Sequence, residues 1–134
     1  MNIHEELFIK NFIVPRKRER YLEFLSNKKR REEITSNFDH CNDLENKYKN
    51  QIPVNRQNAE DVYKILKEKK APDICYIISY QDEIDGKEMI LKKVLVESIF
   101  DTPFIYTGTF ISCIPGKLAL YSSEGINGRY ILEK

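Results

Sequence analysis

A chain of 134 residues is the length of one ordinary domain, so a single domain spanning 1–134 is expected. Hydrophobic residues at 41% suffice for one core. The formal charge of +1, from 22 basic and 21 acidic side chains, excludes a whole-molecule pull toward nucleic acid or an anionic membrane.

No run approaches the roughly 18 apolar residues that a membrane-spanning helix needs. The first twenty residues scatter charges through their apolar positions, unlike a secretory signal. Three widely spaced cysteines, Cys41, Cys75 and Cys113, are the usage of a reducing compartment. A cytoplasmic protein is expected.

Residues 3–13 place Ile3, Leu7, Phe8 and Phe12 at helical spacing and stop short of Pro15, whose predecessor is pushed out of the α region. Pro15 then suits the first position of a second helix. Over 16–38 the periodicity rules out one straight helix. Tyr21, Leu22, Phe24 and Leu25 centre on one side, and a continued helix puts Ile34 and Phe38 on the other. The chain is predicted to break at Ser26-Asn27, between helices over 16–25 and 27–37.

Residues 39–56 are polar and read as a connector with a helical turn near Leu44. A helix over 57–70 follows from the Val62, Ile65 and Leu66 stripe, with a lysine run favouring its C-terminal end and Pro72 closing it. These segments make 1–70 the helical half.

The strand-rich part is 73–134. A buried-type strand is predicted over 75–80 and a turn over 82–87. For 88–99 two readings stand. Leu91, Val94, Leu95 and Ile99 recur at helical spacing, which favours a helix. Asp85-Gly86 between apolar runs is a hairpin signal, which favours a strand. Strands are predicted over 104–114, 117–122 and 129–132. Between the first two, Pro115-Gly116 has the chemistry of a type II turn, which fits short hairpins poorly and implies a longer loop or a bulge. The fold class is α+β, with N-terminal helices on one face of a small, mainly antiparallel sheet of three or four strands.

The most unusual feature is basic. Arg16, Lys17, Arg18, Arg20, Lys28, Lys29, Arg30 and Arg31 are interrupted only by Glu19 and Glu23 within the two cation clusters, a local charge of +6 that suits phosphate backbones. Set against this, the rest of the chain cancels the charge, and solvated helix faces carry such runs routinely. Arg16, Lys17, Arg20, Lys28, Arg30 and Arg31 are the candidate partner- or nucleic-acid-binding residues.

Other constellations are thinner. His4, His40, Cys41, Cys75 and Cys113 lack the short paired spacing that lets one turn deliver two zinc ligands, so no metal is expected. Cys113, before a tight turn, invites a nucleophile reading with His40 as its base, but a buried strand thiol is the commoner case. Asp82, Glu83 and Asp85 lack the further oxygens of a calcium loop. No glycine pattern forms a phosphate loop, and no cofactor is expected.

What remains is a non-enzymatic protein-binding or regulatory module with no catalytic residues assigned. The alternatives are nucleic-acid binding through the 16–31 helices and a small cysteine-dependent enzyme using Cys113. Another protein is the expected partner. Nucleic acid and self-association through a free sheet edge stand behind it, and no membrane contact is expected.

Overall fold

The computed structural model describes residues 1–96, 107–125 and 127–134. Helix α1 (Ile3–Phe12) begins where the Asn2 carboxamide accepts from the His4 N–H at 2.7 Å. It ends at an extended Ile13, two residues before Pro15, which opens α2 (Pro15–Leu25) at its first turn. Beyond α2 the predicted break at Ser26-Asn27 is present. The Ser26 hydroxyl bonds back to the Glu23 carbonyl, and the Asn27 side chain accepts from the Lys29 N–H at 3.0 Å.

The helix expected over 27–37 is replaced by tight turns and a single helical turn, α3 (Glu32–Thr35). The N–H groups of Arg30, Glu33 and Ile34 bond three residues back instead of four. That tighter winding swings Ile34 into the core, where it is buried.

The supposed connector holds more order than its polarity suggested. One-turn 3₁₀ helices lie at Phe38–His40, Asn46–Tyr48 and Val54–Arg56, and strand β1 (Lys49–Gln51) pairs with the end of the chain. Helix α4 (Ala59–Glu68) is capped by Asn58, which accepts from the Asp61 N–H, and the Lys67 ammonium bonds the Ala71 carbonyl just past its end.

Strand β2 (Ile74–Ser79) leads through the Asp85-Gly86 turn into β3 (Glu88–Ile90), and a short helix α5 (Leu91–Lys93) follows at once. The segment from 88 therefore contains both of the structures its sequence suggested; 97–99 lie outside the described residues, as do 104–106 of the next predicted strand. Strands β4 (Thr109–Ile114), β5 (Leu118–Ser122) and β6 (Arg129–Glu133) complete the sheet.

The sheet has six strands among the described residues, not three or four, in the antiparallel order β1-β6-β5-β4-β2-β3. The edge strands are β1, which falls in the expected connector, and β3, which takes up part of the strand reading of 88–99. Each is three residues long, too short to show a period of two.

Helices cover both faces rather than one. Tyr76, Ile78, Phe110, Ala119 and Tyr121 point toward α1 and α2, where Phe8, Phe12, Tyr21 and Phe24 pack on them. The alternate residues Cys75, Ile77, Ile111, Cys113, Leu118 and Leu120 meet Val62 and Leu66 of α4 and Leu91 of α5. Three central strands are thus apolar on both sides, and a sheet with two greasy faces needs two helical layers. The α1 side is aromatic: the Phe110 ring lies 4.6 Å from Phe8, 4.8 Å from Phe38 and 4.4 Å from Tyr121.

Between β4 and β5 the Lys117 N–H bonds the Ile114 carbonyl, Gly116 has φ +70°, and the register slips between Ser112 and Ile114, the bulge that a type II turn demands. A Cβ at 116 would stand 2.5 Å from the Asn11 amide nitrogen and 3.0 Å from Leu7 Cβ on α1. Gly116→Ala is expected to cost at least about 1–2 kcal/mol for the left-handed backbone alone. Urea unfolding of the variant against the parent measures it.

Candidate functional site

The densest polar constellation joins the helical layer to the β2–β3 hairpin. Arg31 donates through Nε and Nη2 to both oxygens of Asp85, at 2.6 and 3.1 Å, in a bidentate fork. Its Nη1 reaches Glu5 Oε1 at 2.7 Å and the Leu25 carbonyl at 2.8 Å, so the same side chain caps the C-terminus of α2. Glu5 in turn accepts from the Tyr76 hydroxyl, and Asp85 Oδ1 accepts from the Ser79 N–H at 2.9 Å.

The Arg31 side chain is 17% exposed and that of Glu5 5%. Burial opposes the Arg31 charge, but the hydrogen bonds it donates to Asp85 and Glu5 outweigh it and hold its pKa above the ordinary value. Burial, reinforced by Glu5, likewise raises the Tyr76 phenol.

Beside the network opens a cleft of about 510 Å³. Three cations line it, Lys28, Lys29 and Arg31, together with four carboxylates, Glu5, Glu32, Asp82 and Asp85. An anion entering it meets its own sign at least as often as the opposite one.

At the hairpin side, the His4 ring stacks on Tyr76 at 5.5 Å and its Nδ1 bonds the Ser112 hydroxyl at 2.7 Å. Burial pushes the His4 pKa below 6.5, with the Glu88 carboxylate pulling the other way.

The six sequence-derived candidates separate into different settings. Arg31 belongs to the network just described. Arg30 lies over the Phe24 ring at 3.9 Å and faces Glu23 and Glu33 at 3.7 and 3.3 Å. Arg20 lies over the same ring at 4.5 Å, so Phe24 gathers two guanidiniums. Arg16 and Lys28 are exposed and Lys17 is half-buried. Phe24 itself is buried, which leaves its ring covered rather than free for a base to stack on.

The other constellations are taken up by packing. Cys113 and Cys75 sit on the α4 face of the sheet, where burial raises both thiols, Cys75 to about 12. The His4 imidazole bonds the hydroxyl of Ser112, the residue before Cys113, whose side chain alternates to the other face of β4. His40 is exposed and pairs with Glu124 at 2.6 Å. Cys41 is buried against Tyr21. Among the described residues no three His, Cys, Asp or Glu side chains stand where they would share a metal ion. Of the acidic turn, Asp85 is the Arg31 partner, whereas Asp82 and Glu83 are exposed.

Sequence reasoning passed over Glu5 and Tyr76. Glu5 stands three and four residues before the buried Phe8 and Ile9, on the core stripe of α1, and a carboxylate on that stripe signals a buried partner. It also passed over Ile74 and Ile90, directly opposed in the β2–β3 ladder and 48% and 53% exposed. They lie on the α1 face, one alternation beyond Tyr76.

No protein-family model, curated protein or solved structure matches the chain.

Removing Arg31 strands two carboxylates in a buried setting. Arg31→Ala is expected to lower stability by about 3–5 kcal/mol, as chemical denaturation will report. His4 is expected to titrate below 6.5 by NMR. Because its folded pKa is depressed, the unfolded chain binds the extra proton, so this contribution is present above 6.5 and is lost as pH falls toward the folded pKa. His4→Gln is expected to flatten that acid loss.

Proposed function

We propose that the protein is a non-enzymatic protein-binding or regulatory module that works from its surface. The observation that carries this reading is the exposed Ile74–Ile90 pair at the β2–β3 edge of the sheet. Exposed apolar residues grouped at a sheet edge are a feature of interaction sites, whereas scattered ones are ordinary. The reading is supported from inside as well. The buried ionisable groups Glu5, Arg31 and Tyr21 are engaged in structural hydrogen bonds, and the three cysteines are packed in the core.

The basic surface contributes electrostatics to the same contact or serves a second reading. Arg16, Arg20, Lys28 and Lys29 are exposed on α2 and the following turn, and nucleic-acid binding through them is the alternative. Glu19, Glu23, Glu32 and Glu33 are interspersed on that surface, which weakens its field. Three free thiols fit a reducing, cytoplasmic setting, and no helix among the described residues is long and apolar enough to cross a membrane.

Affinity capture with three versions of the protein separates the readings. Against the parent, an Ile74→Glu/Ile90→Glu variant is expected to lose its specific protein partners, and an Arg16→Glu/Lys28→Glu/Lys29→Glu variant to keep them. Partners that survive the edge changes but vanish with nuclease treatment or with the basic changes would replace this reading with the nucleic-acid one. In that case anisotropy with labelled RNA and DNA should fall along a log–log salt line with a slope of about 3 or more.

A further inference from the structure

The two edges of the sheet are not equivalent. Strand β1 offers Lys49, Asn50 and Gln51, with Pro53 two residues on, the polar and proline-guarded composition that keeps an edge from pairing. Strand β3 has no proline and carries Met89 and Ile90.

The ladder identifies which groups of β3 are free. The Ile77 N–H bonds the Lys87 carbonyl, and the Leu91 N–H bonds the Asp73 carbonyl. With Cys75 opposite Met89, residues 87, 89 and 91 direct their main-chain groups at β2. In an antiparallel pair these alternate, so the N–H and C=O of Glu88 and Ile90 point away from the sheet. Among the described residues no strand lies beyond them. Their side chains share the face of Ile74 and Tyr76.

We propose that the outward main-chain groups of Glu88 and Ile90 accept one strand of an extended peptide from a partner protein, with an apolar side chain of the peptide packing on Ile74 and Ile90 and acidic residues flanking it. This rests on the protein-binding reading and specifies its chemistry. The backbone pattern calls for an extended chain, because only a strand presents donors and acceptors at that spacing.

Charge chooses the partner. Lys87, Lys92 and Lys93 flank the strand against the single Glu88, and all four are exposed. A second copy paired about a two-fold axis through Met89 would bring the Lys87 end of one strand to the Lys92 end of the other, like charge against like. A three-residue edge with one isoleucine pair also falls well short of the roughly 800 Å² per partner of a stable protein interface. A short acidic-flanked peptide meets neither obstacle.

Proline tests it cleanly. Ile90 has φ −72°, within the range proline adopts, and its N–H is not spent on β2. Ile90→Pro should therefore keep the fold while deleting an outward donor and the apolar contact.

The probe is the capped peptide Asp-Asp-Thr-Val-Thr-Val-Thr-Asp-Asp, titrated into the full chain and followed by amide NMR. Shifts centred on 87–91 and Ile74, with an affinity about tenfold weaker or worse for Ile90→Pro and weaker for the peptide with Lys in place of Asp, are the expected result. Ile90→Thr, which restores the donor without the large side chain, should recover part of the loss.

Absence of shifts at Glu88 and Ile90 at millimolar peptide, or equal binding by the proline variant, overturns the proposal. A concentration-dependent dimer that Ile90→Pro abolishes overturns it in favour of a second copy. Should the peptide fail while the edge variant still loses captured partners, the binding-module reading stands and the strand-addition chemistry falls.

Discussion

The Arg31 guanidinium hydrogen-bonds three separate parts of the chain at once. Glu5 comes from the first turn of α1, Leu25 from the last residue of α2, and Asp85 from the turn between β2 and β3. Through Asp85 the network reaches the Ser79 amide at the end of β2, and through Glu5 it reaches Tyr76 in the middle of that strand. Desolvating an arginine and two carboxylates is expensive, and such a cluster seldom adds net stability over an apolar one of the same shape. What it confers is position. Two carboxylates with one fork between them have few satisfactory arrangements, so the hairpin docks against the helices at one angle. The place of β3, and hence of the open edge, follows from that docking.

The remainder of the fold is set by apolar alternation. Central strands that are greasy on both sides need cover on both sides, and α1 to α3 and α4 with α5 supply it. The consequence for function is subtractive. The three thiols, the hydroxyls of Tyr21, Tyr76 and Tyr121 and the Arg31 ion cluster are taken up inside the fold. Among the described residues the surface keeps two unlike features, a basic helix and turn laced with glutamates, and a sheet edge with exposed isoleucines. The edge is the more specific of the two, because unpaired main-chain groups prescribe the geometry of whatever binds them.

Much of the fold was legible from residues alone. Pro15 fixed the boundary of α1 and α2, the face reversal between Leu25 and Ile34 located the break at Ser26-Asn27, and Pro115-Gly116 located the β4–β5 turn with its bulge. The α+β class followed from these segments. The edge strand β1 was not legible, because Lys49-Asn50-Gln51 has neither alternation nor β-forming side chains and becomes a strand only when β6 offers it a ladder. The second helical layer was missed because short buried strands do not announce how many faces are covered. Arg30 and Arg31 are adjacent and chemically identical in sequence. The turn geometry sends one over Phe24 at the surface and the other between Glu5 and Asp85, a difference that only tertiary structure decides.

Arg31 joins the helices to the hairpin and is not a surface charge awaiting a ligand. A double-mutant cycle between Arg31→Met and Asp85→Asn, read by chemical denaturation, addresses it most directly, since asparagine keeps an acceptor for the Ser79 amide while removing the charge. A coupling energy of about 1.5–3 kcal/mol is expected. Single-variant losses that add to within about 0.5 kcal/mol would contradict it and return Arg31 to the basic surface.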